Sequence, residues 1–201
     1  NDEMNFLNKL EKKYRKYAIP NLMYYIVMLY GAGLVIQLFA PMAYWRFLSL
    51  DIGALMHGQI WRLVTFIIYP PTMGTFVFDS VFFGIISLFL YYSLGVTLER
   101  VWGAFRFNVF FLMGMVGEIL AALVSYFVFH QNLYVTTGFL NFSLFLAFAI
   151  CFPDVQFYLF MVIPVKAKWM AIAESAVYVY SFLVGSASTR CEIVLSLANV
   201  I

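Results

Sequence analysis

Charge is what this chain has least of. With 12 Lys and Arg and 10 Asp and Glu in 201 residues, 11% of it is charged, where soluble domains carry about a quarter. Water is therefore excluded as the solvent for most of the chain. A net charge of +2 leaves no basic surface of the kind nucleic acid requires, and nucleic acid is dropped as a partner. Cysteine is equally sparse. Cys151 and Cys191 form no CxxC pair and no metal-ligand spacing, so they read as small apolar fillers rather than a zinc or redox site. The two histidines, His57 and His130, sit in no HExxH pattern and no Asp-Asp pair accompanies them; no metal and no cofactor is expected.

What is present is apolar bulk. The chain is 64% hydrophobic, with 23 Phe and 14 Tyr, and its mean hydropathy is +0.90. These values indicate an all-α integral membrane protein whose aromatic rings pack helices and anchor them at lipid headgroups. Membrane lipids are its first partners.

The organisation follows from the runs. In residues 1–18, Phe6, Leu7, Leu10, Tyr14 and Tyr17 recur at helical spacing with Lys9, Lys12, Lys13, Arg15 and Lys16 largely on other faces, an amphipathic helix on a membrane surface. Residues 19–201 then read as one transmembrane domain. Asn21 to Ala40 is apolar over the ~20 residues a bilayer requires and is expected to be a retained anchor rather than a cleaved signal. Pro41 to Thr75, with Tyr44-Trp45-Arg46 and Trp61-Arg62, is too apolar for a solvated loop and suggests an interfacial segment. Further spans are expected at about Phe76–Thr97, Phe105–Phe129, Leu133–Phe152 and Trp169–Val184, with a tight turn over Leu98–Gly103. Val155–Ile163 is apolar but too short to cross, and reads as interfacial or re-entrant. Gly185–Arg190 reads as a turn, and Ile193–Ile201 as the start of a sixth span cut short by the chain end. With the N-terminus cytoplasmic, nine Lys and Arg fall inside and three (Arg46, Arg62, Arg190) outside, as the positive-inside rule favours.

Gly58 to Phe66, Gly95 to Phe107, Leu146 to Pro153 and Ile163 to Trp169 are four stretches that, in this order, resemble rhomboid proteins and the related derlins. Gly58-Gln59-Ile60-Trp61-Arg62-Leu63-Val64-Thr65-Phe66 is similar to the entry from the first loop to helix two. Gly95 to Gly103 with Arg106-Phe107 is similar to the turn between helices two and three. Leu146-Ala147-Phe148-Ala149 with Phe152-Pro153 resembles the exit of helix four, and Ile163 to Trp169 the entry of helix five. The resemblance covers nearly the whole chain and implies a six-helix transmembrane bundle with a long interfacial first loop. Trp61, Arg62, Glu99, Arg100, Gly103, Arg106 and Pro164 are then scaffold residues. Trp61 at headgroup level would let Arg62 reach phosphate or a backbone carbonyl, although the pair also fits an ordinary aromatic belt. Glu99 with Arg100 or Arg106 is expected to form an ion-pair cluster at the inner turn.

The resemblance also says which chemistry to seek. Rhomboid proteases use a serine in Gly-x-Ser-Gly at the start of helix four, a histidine in helix six, and a histidine and an asparagine in helix two near the oxyanion. Here Gly138-Phe139-Leu140-Asn141 places Leu140 in the serine position, no histidine follows residue 130, and Asp79-Ser80 occupies the helix-two region. A serine without a base is a weak nucleophile. Ser143 lies nearby, but His130 would be ~20 Å away along a continuous helix, which leaves His57 on the first loop as the one base for an unusual dyad.

The expectation is a catalytically inactive rhomboid with derlin-like features. It would be a pseudoprotease that binds transmembrane segments of client proteins, entered laterally between helices two and five. Asp79, Glu118, Asn141 and Ser143 are its candidate polar or client-site residues. Two alternatives stand: a divergent intramembrane serine protease, and a small proton-coupled carrier centred on Glu118. An ionised carboxylate at mid-span costs at least ~2.5–3.5 kcal/mol, so Glu118 either serves function or hydrogen-bonds a neighbouring helix. Glu174, a few residues into helix five, is read as near-interface.

Overall fold

The computed structural model describes residues 2–71, 77–133, 135–159, 163–198 and 200. The chain is mostly helical. Helix α1 (Asp2–Tyr14) leads through a 3-10 turn into α2 (Leu22–Phe39). The first loop holds α3 (Pro41–Ala43), a π turn over Tyr44–Leu48, α4 (Ile52–Met56) and α5 (Arg62–Thr65), which continues as a 3-10 turn over Phe66–Ile68. Then come α6 (Val77–Trp102), α7 (Ala104–Phe129), α8 (Gly138–Cys151), an antiparallel hairpin of β1 (Gln156–Leu159) and β2 (Ile163–Lys166), α9 (Ala167–Val184) and α10 (Ala187–Ser196).

Among the described residues, three helices are long and apolar enough to cross a membrane: α2, α6 from Val81, and α7. Helix α6 runs five residues beyond the expected Thr97, so the tight turn to α7 contracts to Gly103 alone. Its φ of 85° with ψ of 154° is a conformation open essentially to glycine, and it lets two 26-residue helices reverse in one step.

Helix α8 is the central pillar. Apolar nearly all round, it is the kind of helix that must be buried, and Leu140, Leu144, Phe145 and Phe148 enter one core with Met23, Ile26 and Tyr30 of α2, Leu94 and Leu98 of α6, and Phe107 of α7. Helices α6, α7, α9 and α10 all pack against it. A second cluster ties the first loop (Leu50, Ile52, Phe66, Ile67) to Ala122 of α7 and to Val135.

Three expectations are revised. The fourth span starts at Gly138, not Leu133, because the preceding backbone serves the first loop through a Leu50–Val135 bridge and the Tyr44 hydroxyl. At 14 residues it measures ~21 Å. Of the Val155–Ile163 stretch, Gln156–Leu159 and Ile163 are strand residues of the hairpin, with Gln156 opposite Lys166 and Tyr158 opposite Pro164; the expected all-helical chain is thus interrupted by a two-stranded element. The Lys166 ammonium donates to Asp154 at 3.0 Å, with Lys168 at 3.5 Å, closing the hairpin base. Finally, α10 begins at Ala187, inside the expected turn. The Ser186 hydroxyl accepts from the Thr189 N–H at 3.4 Å, an N-cap that starts the helix six residues early.

Candidate functional site

Arg62 is nearly sealed from solvent and works as a backbone clasp. Its guanidinium donates to Gln59 Oε1 at 2.7 Å, to the Ser49 carbonyl at 2.7 Å and to the Arg46 carbonyl. Of the two acceptors open to it in the sequence, it takes carbonyls of the chain itself. Trp61 is half exposed and donates from its indole to the Phe47 carbonyl at 3.1 Å. Thr65 adds a bond to the Leu48 carbonyl at 2.9 Å. Together these residues hold the 46–49 backbone, which no regular ladder satisfies. The Tyr44 hydroxyl donates to the Phe66 carbonyl at 3.0 Å, and burial, with Tyr69 adding, holds its phenol pKa well above the ordinary value.

The turn between α6 and α7 departs from the expected ion-pair cluster. Glu99 Oε1 accepts from the Asn21 backbone N–H at 2.6 Å, at the start of α2. Arg106 instead pairs with Glu11 at 3.2 Å and donates to Asn8 at 2.8 Å, docking α1 on α7. Arg100 is exposed and takes part in no ion pair among the described residues. The cluster fails because a helix start close by needs an acceptor more than the arginines, which reach water, need a counter-charge. A residue that sequence reasoning missed stands beside it: Asn108 accepts from the Ile19 N–H at 3.0 Å and donates to the Ile19 carbonyl at 2.9 Å. Its one signal was an amide in an apolar run, which must find a partner.

Glu118, Asn141 and Ser143 do come together, all buried, across α7 and α8. Glu118 is 1% exposed, and its Oε1 accepts from the Leu140 N–H at 3.1 Å. Leu140 is the third residue of α8, and its amide has no partner within the helix. The N-cap residue Thr137 offers no side-chain cap, so Glu118 supplies one from another helix. The Glu118 Oε2 atom has no partner among the described residues. Asn141 accepts from the Tyr30 hydroxyl at 3.0 Å and donates to Thr137 Oγ1 at 3.2 Å, and Thr137 donates on to the Tyr69 carbonyl at 2.7 Å. Ser143 is fully buried and donates to the Leu140 carbonyl at 2.8 Å. His57 bonds the Gly53 carbonyl at 2.8 Å, while His130 ends α7 with a positive φ of 54°. Asp79 lies in α6, and its side chain falls outside the described residues. Pro164 is a strand residue of the hairpin.

Beside this network lies a cavity of about 350 Å³. Helix α6 contributes Ser87 and Tyr91, α8 with its cap contributes Thr137 and Asn141, and α9 contributes Glu174 and Tyr178. Helices α6 and α9 each pack against α8 but hardly against each other, so the cavity sits in a slot between them. Glu174 is deeper than its sequence position suggested. Helix α9 starts at Ala167, which puts Glu174 seven residues in, ~10 Å along the axis.

Among the described residues no group of His, Cys, Asp and Glu could hold a metal ion. Compared with protein-family models, curated proteins and solved structures, the chain matches none.

Proposed function

We propose that this chain is a non-catalytic, rhomboid-like integral membrane protein that binds transmembrane segments of client proteins through the slot between α6 and α9. The observation that carries the proposal is the cavity itself. It is lined by hydroxyl, amide and carboxyl groups, it is reached between two helices that leave each other free, and Ser87 lies ten residues into α6, ~15 Å along it. Polar cavities at such depth are costly and mark sites of function. In this reading α2, α6, α7, α8, α9 and α10 are the six members of a rhomboid-like bundle, and the nine-to-three distribution of Lys and Arg favours a cytoplasmic N-terminus.

Absence of proteolysis is part of the proposal and rests on three features. No imidazole lies between residues 131 and 201, so none is on α8, α9 or α10; Ser143 is sealed with its hydroxyl turned to a carbonyl; and the Leu140 N–H, which in a protease would face an oxyanion, is held by the Glu118 carboxyl group.

A photo-crosslinking residue at Ser87 or Tyr178 is expected to capture a co-reconstituted single-span helix, while one at Met113, on the exposed face of α7, captures it far less. Equal yields at all three positions refute client binding at the slot. Labelling of Ser143 by a fluorophosphonate, lost in Ser143→Ala, refutes the non-catalytic half.

A further inference from the structure

We infer that the slot selects client helices bearing a single basic residue, Lys or Arg, with the Glu174 carboxylate as the counter-charge. This rests on the client-binding reading above and names the class of client.

Three helices each turn one polar step toward the same space: Ser87 and Tyr91 on α6, Thr137 and Asn141 at the start of α8, Glu174 and Tyr178 on α9. The i, i+4 spacing of each pair puts both members on one face. The cavity therefore has a lining that the sequence encodes three times over. No Lys, Arg or His is among its residues, and Glu174 makes no hydrogen bond or ion pair among the described residues. Among the described side chains, the other carboxylates of these helices either bond elsewhere or lie away from the cavity. Glu99 and Glu118 each cap a helix start, while Glu192 on α10 also lacks an ion pair but is not among the residues around the cavity.

A helix entering the slot displaces water from Glu174. An apolar helix leaves the carboxylate desolvated and alone, which is the costly outcome. An acidic helix adds repulsion. A helix with one Lys or Arg relieves two costs at once, since its own cation is also expensive in lipid. Tyr91 and Tyr178 line the same cavity as Glu174, and aromatic rings attract a cation. Tyr178 is held in place by Phe139 and Phe142 of α8, with ring centroids 5.2 and 4.4 Å away, so the site is preorganised and the preference is a difference in affinity rather than a fit to shape alone.

The test uses the full chain in lipid nanodiscs and a Leu/Ala model helix carrying Lys, Leu or Glu at its midpoint, with binding read by energy transfer. The Lys helix is expected to bind roughly three- to twentyfold more tightly than the Leu helix, the range of measured polar contacts between membrane helices. Glu174→Gln is expected to remove that advantage, by weakening the Lys helix and by sparing the Leu helix the cost of desolvating a charge. Glu174→Lys moves the preference to the Glu helix, an outcome that misfolding does not produce. Equal binding of the Lys and Leu helices, or an advantage that survives Glu174→Gln, overturns the inference and leaves client binding standing. Failure of every helix to bind refutes client binding and the inference with it.

Discussion

Replacing Glu118 by Gln and by Leu separates two roles that a carboxyl group inside a membrane can have. Its Oε1 caps the Leu140 N–H across 3.1 Å, at a site 1% exposed. Gln keeps an oxygen for that amide and places an NH2 where Oε2 already lacks a partner, so one unmatched atom replaces another. Stability is expected to change by less than ~1 kcal/mol. Leu removes the acceptor and strands a buried donor, which costs about 1–3 kcal/mol, and the loss of a polar group at the positive end of α8 adds up to ~1 kcal/mol. Leu is therefore expected to destabilise by about 1–4 kcal/mol. Reversible unfolding in bicelles, by SDS titration or steric trapping, measures both variants. If Gln is as damaging as Leu, the charge or proton matters rather than the cap, and the reasoning fails. If Leu is neutral, the bond contributes nothing and the cap is incidental. A proton-coupled carrier would show a different signature: Gln would abolish a pH-driven flux in liposomes while leaving stability intact.

Other perturbations test the scaffold. Arg62→Ala leaves the Ser49 and Arg46 carbonyls and Gln59 without their donor and should cost about 3–5 kcal/mol, with Lys restoring under half because it lacks the planar fork; a loss below ~1 kcal/mol in thermal unfolding refutes the clasp. In Gly117→Ala the new methyl would meet the Leu195 backbone carbonyl, so α10 must move off α7 at a cost of about 1–3 kcal/mol, read as weaker crosslinking of a cysteine pair replacing Ser125 and Ser188, whose hydroxyls bond each other. The hydrogen bond from Lys166, with the Lys166 and Lys168 charges adding, lowers the Asp154 pKa. The hairpin base is then fully tied above the ordinary aspartate pKa and released as pH falls through the lowered value. The Asp154 carboxyl should titrate by NMR below the ordinary aspartate value, and a midpoint at or above it refutes the contact.

The long helices were legible because punctuation bounds them. Pro20 and Pro41 flank α2, and Gly103 and His130 flank α7, so lipid-length apolar runs ended where the structure ends them. The hairpin was not legible, since an apolar run of nine residues fits a strand pair as well as an interfacial helix until Asp154 and Lys166 are seen to meet. Arg62 was legible as an anchor but not its target, because phosphate and carbonyl offer a guanidinium the same kind of acceptor. The capping glutamates were illegible for a different reason. Glu118 lies 22 residues from Leu140, and Glu99 lies 78 from Asn21, and only the packing of α7 on α8 and of α6 on α2 brings those pairs together.

Those caps give the polar residues of the bundle an order. Lipid offers no partner to a bare N–H or C=O, so each interruption of the helices must be closed from within the protein. Glu118 closes the start of α8, Glu99 the start of α2, and Asn108 the irregular backbone at Ile19. Each is tied to a specific main-chain atom, so an apolar replacement should lower stability and leave the choice of client helix unchanged. Among the described residues Glu174 bonds no main-chain atom; it stands among the side chains around a cavity. Its replacement should therefore do the reverse, sparing stability and erasing preference. A Glu174→Gln variant that unfolds as readily as Glu118→Leu would collapse this division between architecture and recognition, since the carboxylate would then be holding the fold rather than waiting for a partner.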